Sequence, residues 1–285
     1  MNWVPLLFID DVCHRLRHRT FNQVCQLSGS WSNVGSKHHK KRREFAFRCE
    51  LNGNQEMRYC IWETDWLYRE VTVEDLSLEF DRITYFACSS AVPNDTRVNR
   101  VSLREFERDI LPTIAPLVTN CRWPFLTPQR RDQNRFFFNA FKNCPGFNSI
   151  SVQEQGQESR EFVIRQVEIG NVQRLSLSGT GRWPKEENLG ETLKIFVSSA
   201  RFHALISPDF LIDDSELFEL FFERALAGEL KRGARIDTTN CDKNRLLALH
   251  PDCRHDSRKD AWRIPASNLR IALRHFANVL EVESE

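Results

Sequence analysis

Apolar residues near the start of the chain recur at helical spacing. Phe21, Val24 and Leu27 stand three residues apart, and Ser28-Gly29-Ser30 then interrupts the pattern. The apolar positions on either side of that break are Ile9, Val12, Leu16, Phe21, Val24, Trp31 and Val34. Pro5 suits the first position of a helix. Together with the apolar spacing and its interruption, it predicts two or three short helices. We treat them as a helical module of residues 1–48.

From about Thr64 the pattern changes to short alternating runs separated by amphipathic stretches, which is typical of parallel strands with helical crossovers. The predicted strands are residues 73–80, 147–153, 172–179, 201–207 and 234–239, with a further strand near 122–126. The predicted helices are residues 102–118, 129–144, 185–200 and 214–230.

Apolar positions in the last four full strands repeat at a regular interval. Ile150, Leu175, Leu205 and Ile236 follow one another every 25 to 31 residues, close to the period of leucine-rich repeats, about 20 to 29 residues. The sequence therefore predicts an α/β fold in which the helical module is followed by a leucine-rich-repeat-like strand–helix solenoid over residues 49–285. Since no regular Asn or Cys position accompanies the repeat, an ordinary open α/β domain is the alternative.

Composition excludes several classes of protein. With 40 Lys plus Arg against 39 Asp plus Glu, the formal charge is +1, which argues against a general binder of nucleic acid or membrane surface. No apolar run reaches the roughly 18 residues of a membrane-spanning helix. Nine cysteines occur singly, as expected of buried thiols in a reducing compartment, so we expect a soluble protein of the cytosol or nucleus.

Motifs of catalysis are missing from the sequence. There is no Gly-x-Ser-x-Gly, phosphate-binding loop or His-Glu-x-x-His, and the adjacent carboxylates at Asp10-Asp11 and Asp213-Asp214 fit helix starts. We therefore predict a non-catalytic protein without a cofactor. A hydrolase whose site is assembled only in space stays as a remote alternative.

Two clusters could carry other chemistry. Cys241, His250, Cys253 and His255 are residue types that bind zinc, but their order lacks the paired spacing of zinc sites, so we predict no metal. The basic run over residues 37–43 predicts a solvated helix end. Its alternative role, nuclear import or a phosphate contact, would indicate a nuclear, nucleic-acid-associated protein.

The first forty residues resemble a shortened, divergent F-box, and with the α/β repeats behind them the chain resembles nematode F-box-associated proteins. The residues that carry the resemblance are Pro5, Ile9, Val12, Leu16, Phe21, Val24, Leu27, Trp31 and Val34. Val4 stands where that motif usually has Leu, and Leu27-Ser28 replaces its usual Val-Cys.

The resemblance implies a subunit that recruits a target protein to a Skp/cullin/F-box ubiquitin ligase. A Skp-type adaptor would then bind an apolar groove formed by part of the set Pro5, Leu6, Ile9, Val12, Leu16 and Trp31, whose other members would pack the helical module. The repeats would bind a target that the sequence does not identify. The alternative is a solenoid scaffold outside the ubiquitin pathway, whose N-terminal helices only cap the repeats.

Overall fold

The structure is a computed structural model that describes residues 4–16, 20–52, 55–64, 69–88, 98–123, 131–178, 183, 187–207, 215–238, 254–256, 261–263, 269–274 and 277–282. The protein has an α/β fold, as predicted. Its chain forms two compact units: unit 1 comprises Met1–Gln129 and Cys144–Phe147, and unit 2 comprises Arg130–Asn143 and Asn148–Glu285. The predicted boundary after residue 48 lies within the first strand, because the helical segment already ends at Lys41.

Unit 1 begins with three helices: α1 (Leu6–Arg15), α2 (Phe21–Cys25) and α3 (Ser30–Lys41). Their shared core consists of Ile9, Cys13, Phe21 and Val24, with Val4, Leu16, Trp31 and Val34 against it. Gly35 lets α3 approach α2 closely, since a Cβ there would lie 2.6 Å from the side chain of Val24. The predicted short helices are confirmed.

The sheet of unit 1 follows the helices directly. Its strands are β1 (Glu44–Leu51), β2 (Glu56–Glu63), β3 (Glu70–Val71), β4 (Arg82–Cys88), β5 (Asn99–Ser102) and β6 (Val118–Trp123). They are ordered β6-β4-β1-β2-β3, with β5 beside β2. Strand β1 is antiparallel to β2 and parallel to β4. Sequence analysis did not identify β1 and β2.

The strand predicted over residues 73–80 is wrong. Val73–Asp75 is a 3₁₀ turn, in which the carboxylate of Asp75 accepts a hydrogen bond from the backbone N–H of Thr72 at 2.9 Å. This capping contact turns the chain at a point where the alternation of apolar and polar residues had suggested an extended strand. The strand near 122–126 begins earlier, at Val118.

An irregular helix covers one face of this sheet. It consists of α4 (Leu103–Glu105), a π-helical turn (Phe106–Ile110), α5 (Leu111–Ile114) and a 3₁₀ turn (Ala115–Leu117). Phe106 and Phe47 pack with their ring centroids 6.3 Å apart, and Phe47 stacks on Phe86 at 5.2 Å. All three side chains are fully buried, so aromatic contacts dominate the core of unit 1.

Unit 2 contains the predicted strand–helix alternation. Its parallel strands are β7 (Phe147–Gln153, of which Phe147 belongs to unit 1), β8 (Arg174–Ser178), β9 (Ala204–Ser207) and β10 (Arg235–Thr238). Its helices are α6 (Arg131–Phe141), α7 (Gln157–Ile169), α8 (Glu187–Ser198) and α9 (Ser215–Leu226). Helices α7, α8 and α9 each join one strand to the next. Helix α7 had not been predicted.

The four periodic apolar residues face one another across the sheet. Ile150 pairs with Leu175, Leu175 with Leu205, and Leu205 with Ile236. Each is at most 1% exposed. The sequence interval therefore corresponds to one register position repeated on four neighbouring strands, and this row of aliphatic side chains forms the centre of unit 2.

The alternation stops after β10. Four antiparallel strands follow: β11 (Arg254–Asp256), β12 (Ala261–Arg263), β13 (Leu269–Arg274) and β14 (Ala277–Val282). Strand β14 is antiparallel to β10, which places this meander at the end of the row of parallel strands.

Gly146 offers a test of how tightly unit 1 is assembled. A Cβ at this position would overlap the backbone carbonyl of Val118. Because backbone cannot rotate away as a side chain can, we expect Gly146→Ala to lower the free energy of unfolding by about 3 kcal/mol or more. Gly190→Ala is the control, since open space surrounds that position in α8. Alanine there should raise the free energy of unfolding by up to about 1 kcal/mol, because it favours the helix more than glycine does. Thermal denaturation followed by circular dichroism measures both, and an unchanged melting temperature for Gly146→Ala would contradict the close approach.

Candidate protein-interaction surface

The six residues predicted to bind a partner do not share one surface. Pro5 and Leu6 are exposed, whereas Ile9 is buried in the core of the helices. Val12, Leu16 and Trp31 are half-buried, and the last two pack against that core. Ile9 and Cys13 lie one turn apart on the same side of α1, and both belong to the core of the helices.

A more exposed apolar surface lies at the beginning of α1. Leu6, Leu7 and Phe8 are 61%, 85% and 54% exposed, and we call these three residues the α1 patch. Phe8 also contacts Trp31 of α3 edge to face, with ring centroids 6.4 Å apart. Leu7 and Phe8 had not been predicted as partner-facing. Their signal was in the sequence, because successive residues of a helix point about 100° apart and three in a row cannot all face one core.

The other end of α1 is held by buried arginines. Arg42, just after α3, donates to the backbone carbonyls of Leu16, Cys13 and His14, the second at 2.8 Å. Arg82, the first residue of β4, donates through Nε to the carbonyl of His14 at 3.0 Å. The last carbonyls of a helix have no partner within it. These side chains therefore supply the missing donors and fix α1 to the sheet of unit 1.

Burial changes the electrostatics of this anchor. Arg42 is 7% exposed and Arg82 is 3% exposed, and loss of hydration lowers the pKa of each guanidinium to about 10. Both side chains are therefore still cations at neutral pH. Positive charge at the carboxyl end of a helix is favourable because of the partial negative charge there. Arg42 also lies over the ring of Phe21, 4.6 Å from its centroid.

The basic run over residues 37–43 differs from the solvated segment that was predicted. His38 and Arg42 are buried, and Lys37 pairs with Glu79 at 2.5 Å. Arg43 forms two hydrogen bonds with the buried carboxylate of Asp81, at 3.0 and 2.6 Å. The run therefore joins α3 to α1 through Arg42, and to the segment just before β4 through Lys37 and Arg43.

One group of described residues has the side chains to hold a metal ion. Asp10, His14 and His38 each offer a ligand atom, and these atoms lie within 4.8 Å of one another. Of the four residues that were considered for zinc and predicted to bind no metal, Cys241, His250 and Cys253 lie outside the described residues. His255 is part of β11.

The cysteines that the structure describes form no disulfide bonds, and six of these seven are buried. Burial raises the pKa of Cys144 to about 11 and also raises that of Cys121. Such thiols are largely protonated at neutral pH and therefore poor nucleophiles.

Comparisons of the chain with models of protein families, with curated proteins and with solved structures find no match. Within the part of the chain that the structure describes, no helix has both the length and the apolar character needed to cross a membrane.

Removing the Arg42 side chain should destabilise unit 1 strongly. We expect Arg42→Ala to lower the free energy of unfolding by about 3 kcal/mol, because buried carbonyls at the end of α1 lose a charged donor. Lys40→Ala is the matched control, since Lys40 is exposed in the same run and its loss should change stability by less than about 0.5 kcal/mol. Urea denaturation measures both variants, and equal midpoints would show that Arg42 does not anchor the helix.

Proposed function

We propose that this protein recruits a target to a Skp/cullin/F-box ubiquitin ligase, with helices α1–α3 binding the Skp-type adaptor. The observation that carries the proposal is the α1 patch on a small helical module at the beginning of unit 1. The resemblance of the first forty residues to an F-box supports the same assignment.

Exposure of three large apolar residues in succession is unfavourable in water. Burying a Leu or Phe side chain yields about 1.5–3 kcal/mol relative to leaving it exposed. Apolar residues clustered on a surface are characteristic of protein–protein contacts. Docking through the α1 patch would remove Leu6, Leu7 and Phe8 from water while Ile9 and Cys13 hold the helix from behind.

The contacts of α1 also suit a docking element. A rigid helix loses little conformational entropy when it binds, so more of the interaction energy appears as affinity. The donors from Arg42 and Arg82 hold the far end of α1, and Asn120 adds a hydrogen bond to the carbonyl of Arg15 at 2.7 Å. The apolar end is thereby presented on a helix fixed to a sheet.

We further infer that the strand–helix part of unit 2, from β7 to β10, is a leucine-rich-repeat-like solenoid that binds the target. Along β7 and β8, buried aliphatic residues alternate with less buried serines, namely Ser149, Ser151 and Ser176. A row of short polar side chains across parallel strands gives a partner direct access to the sheet face. The proposal as a whole places the protein in the cytosol or nucleus, where its adaptor and target would be found.

The decisive experiment is co-purification of the full chain with a recombinant Skp-type adaptor. We expect capture of the wild type and at least about tenfold weaker capture of Leu7→Asp, because an apolar anchor at an interface contributes about 2 kcal/mol or more. Leu7 is 85% exposed, so its substitution should leave the fold intact, which circular dichroism verifies.

Ile195→Asp is the matched control, since it puts the same charge on an apolar residue of α8 that is 58% exposed. We expect capture of this variant to equal that of the wild type. Failure of the folded wild type to bind would overturn the proposal and favour the scaffold whose N-terminal helices only cap the repeats. Equal capture of Leu7→Asp and Ile195→Asp would exclude the α1 patch as the docking site.

A further inference from the structure

Three potential metal ligands converge between the first and third helices of unit 1. Asp10 and His14 are four residues apart on α1, so their side chains lie on the same face of the helix one turn apart. His38 comes from the facing side of α3. We propose that Asp10, His14 and His38 form a binding site for a divalent transition-metal ion of the zinc class. This inference does not rest on the proposed function.

The distances are close to those that coordination requires. His38 Nε2 lies 2.8 Å from one carboxylate oxygen of Asp10, and His14 Nε2 lies 3.6 Å from the other. Ligand atoms of a tetrahedral site with bonds of 2.0–2.1 Å are separated by about 3.3 Å. Small side-chain rotations would therefore bring one atom from each residue into coordination distance of a shared ion.

Aromatic contacts hold the deepest ligand in place. The ring of His38 is fully buried; Phe21 lies parallel to it, with a centroid separation of 6.0 Å and an interplanar angle of 2°. Phe80 approaches it edge-on at 5.4 Å, and the ring of His14 at 5.2 Å. The imidazole is thus fixed before any ion arrives, which lowers the entropy cost of coordination.

His38 also has an incomplete set of partners for a buried polar side chain. Nε2 contacts Asp10, but Nδ1 is buried and has no hydrogen-bond partner. An unpaired buried polar atom costs roughly 1–3 kcal/mol, so an apolar ring would serve better if packing were the only role of this position. Coordination through Nε2 would offset this cost but would leave Nδ1 unpaired, whereas histidine ligands usually donate that N–H to a partner, which is a further reason to expect modest affinity.

The donor set and its access to water define the class of ion. Two imidazoles and one carboxylate suit Zn²⁺, Co²⁺ or Ni²⁺, whereas Mg²⁺ and Ca²⁺ prefer oxygen ligands alone. The side chains of His14 and Asp10 are 28% and 35% exposed, which leaves the fourth position open to a water molecule. Arg82 lies close enough to Asp10 for their charges to interact. Because this cation repels a metal ion, we expect weaker binding than at a structural zinc site with four protein ligands.

Calorimetric titration of the full chain with Zn²⁺ tests the inference. Asp10→Asn and His14→Gln each remove one ligand from a half-buried position, and either should weaken binding at this site at least about tenfold. Asp11→Asn is the matched control, since Asp11 is the neighbouring carboxylate on the same helix and pairs instead with Arg15. We expect this control to bind Zn²⁺ as the wild type does.

A Cys241→Ser/Cys253→Ser variant separates this site from a thiolate site elsewhere in the chain. Binding that survives in this variant, and Co²⁺ spectra free of a sulfur-to-metal charge-transfer band, are expected for nitrogen and oxygen ligands. No Zn²⁺ binding by the wild type would overturn the proposal. So would Zn²⁺ affinity that is unchanged in Asp10→Asn and His14→Gln, or that is abolished by the double cysteine substitution.

Discussion

The position of α1 depends on the hydrogen bonds that its last carbonyls accept from Arg42 and Arg82. A helix of ten residues is marginal by itself, so contacts outside it must provide its stability. Arg42 directly follows α3 and Arg82 begins β4. The same donors that complete the hydrogen bonds of α1 therefore join the helices of unit 1 to its sheet. Both side chains carry charge at low exposure, and the backbone carbonyls compensate much of the cost of their burial.

Unit 2 is stabilised by a different kind of interaction. Ile150, Leu175, Leu205 and Ile236 pair across four parallel strands and are almost inaccessible to water. This row relies on apolar burial and on a register that repeats from strand to strand. Because each connection has a similar length, each helix brings the next strand back to the same register position. The interval in the sequence therefore equals the length of chain between two paired positions on neighbouring strands.

Helix α1 carries three groups of side chains with different surroundings along its ten residues. Its first turn exposes Leu6, Leu7 and Phe8, its buried side contributes Ile9 and Cys13 to the core, and its second half carries Asp10 and His14 beside His38. An adaptor contact through the first turn and a metal ion bound at the second half would act on one rigid helix. The two proposals can nevertheless be tested separately, because they use different side chains.

The strand–helix part of unit 2 was largely predictable from the sequence. Aliphatic residues at regular intervals and amphipathic stretches between them were enough to predict β7 to β10 and helices α6, α8 and α9, since burial of one face repeats locally along the chain. The three short helices of unit 1 followed from the same kind of pattern. For the candidate surface, the sequence pointed to α1 and to Leu6, which is exposed, whereas Ile9 of the same predicted set is buried.

Three features depend on contacts that exist only in the folded chain: the burial of the basic run, the strands that follow it, and the grouping of Asp10 and His14 with His38. Arg42 and His38 look solvated in sequence, and their partners are fixed only when α3 lies against α1 and β4. Strand β1 was missed because it begins only three residues after α3, directly behind that charged run. Contacts between residues far apart in the chain leave no periodic signal in the sequence. The residue type of a long polar side chain also does not show whether its charged end reaches water or a buried carbonyl.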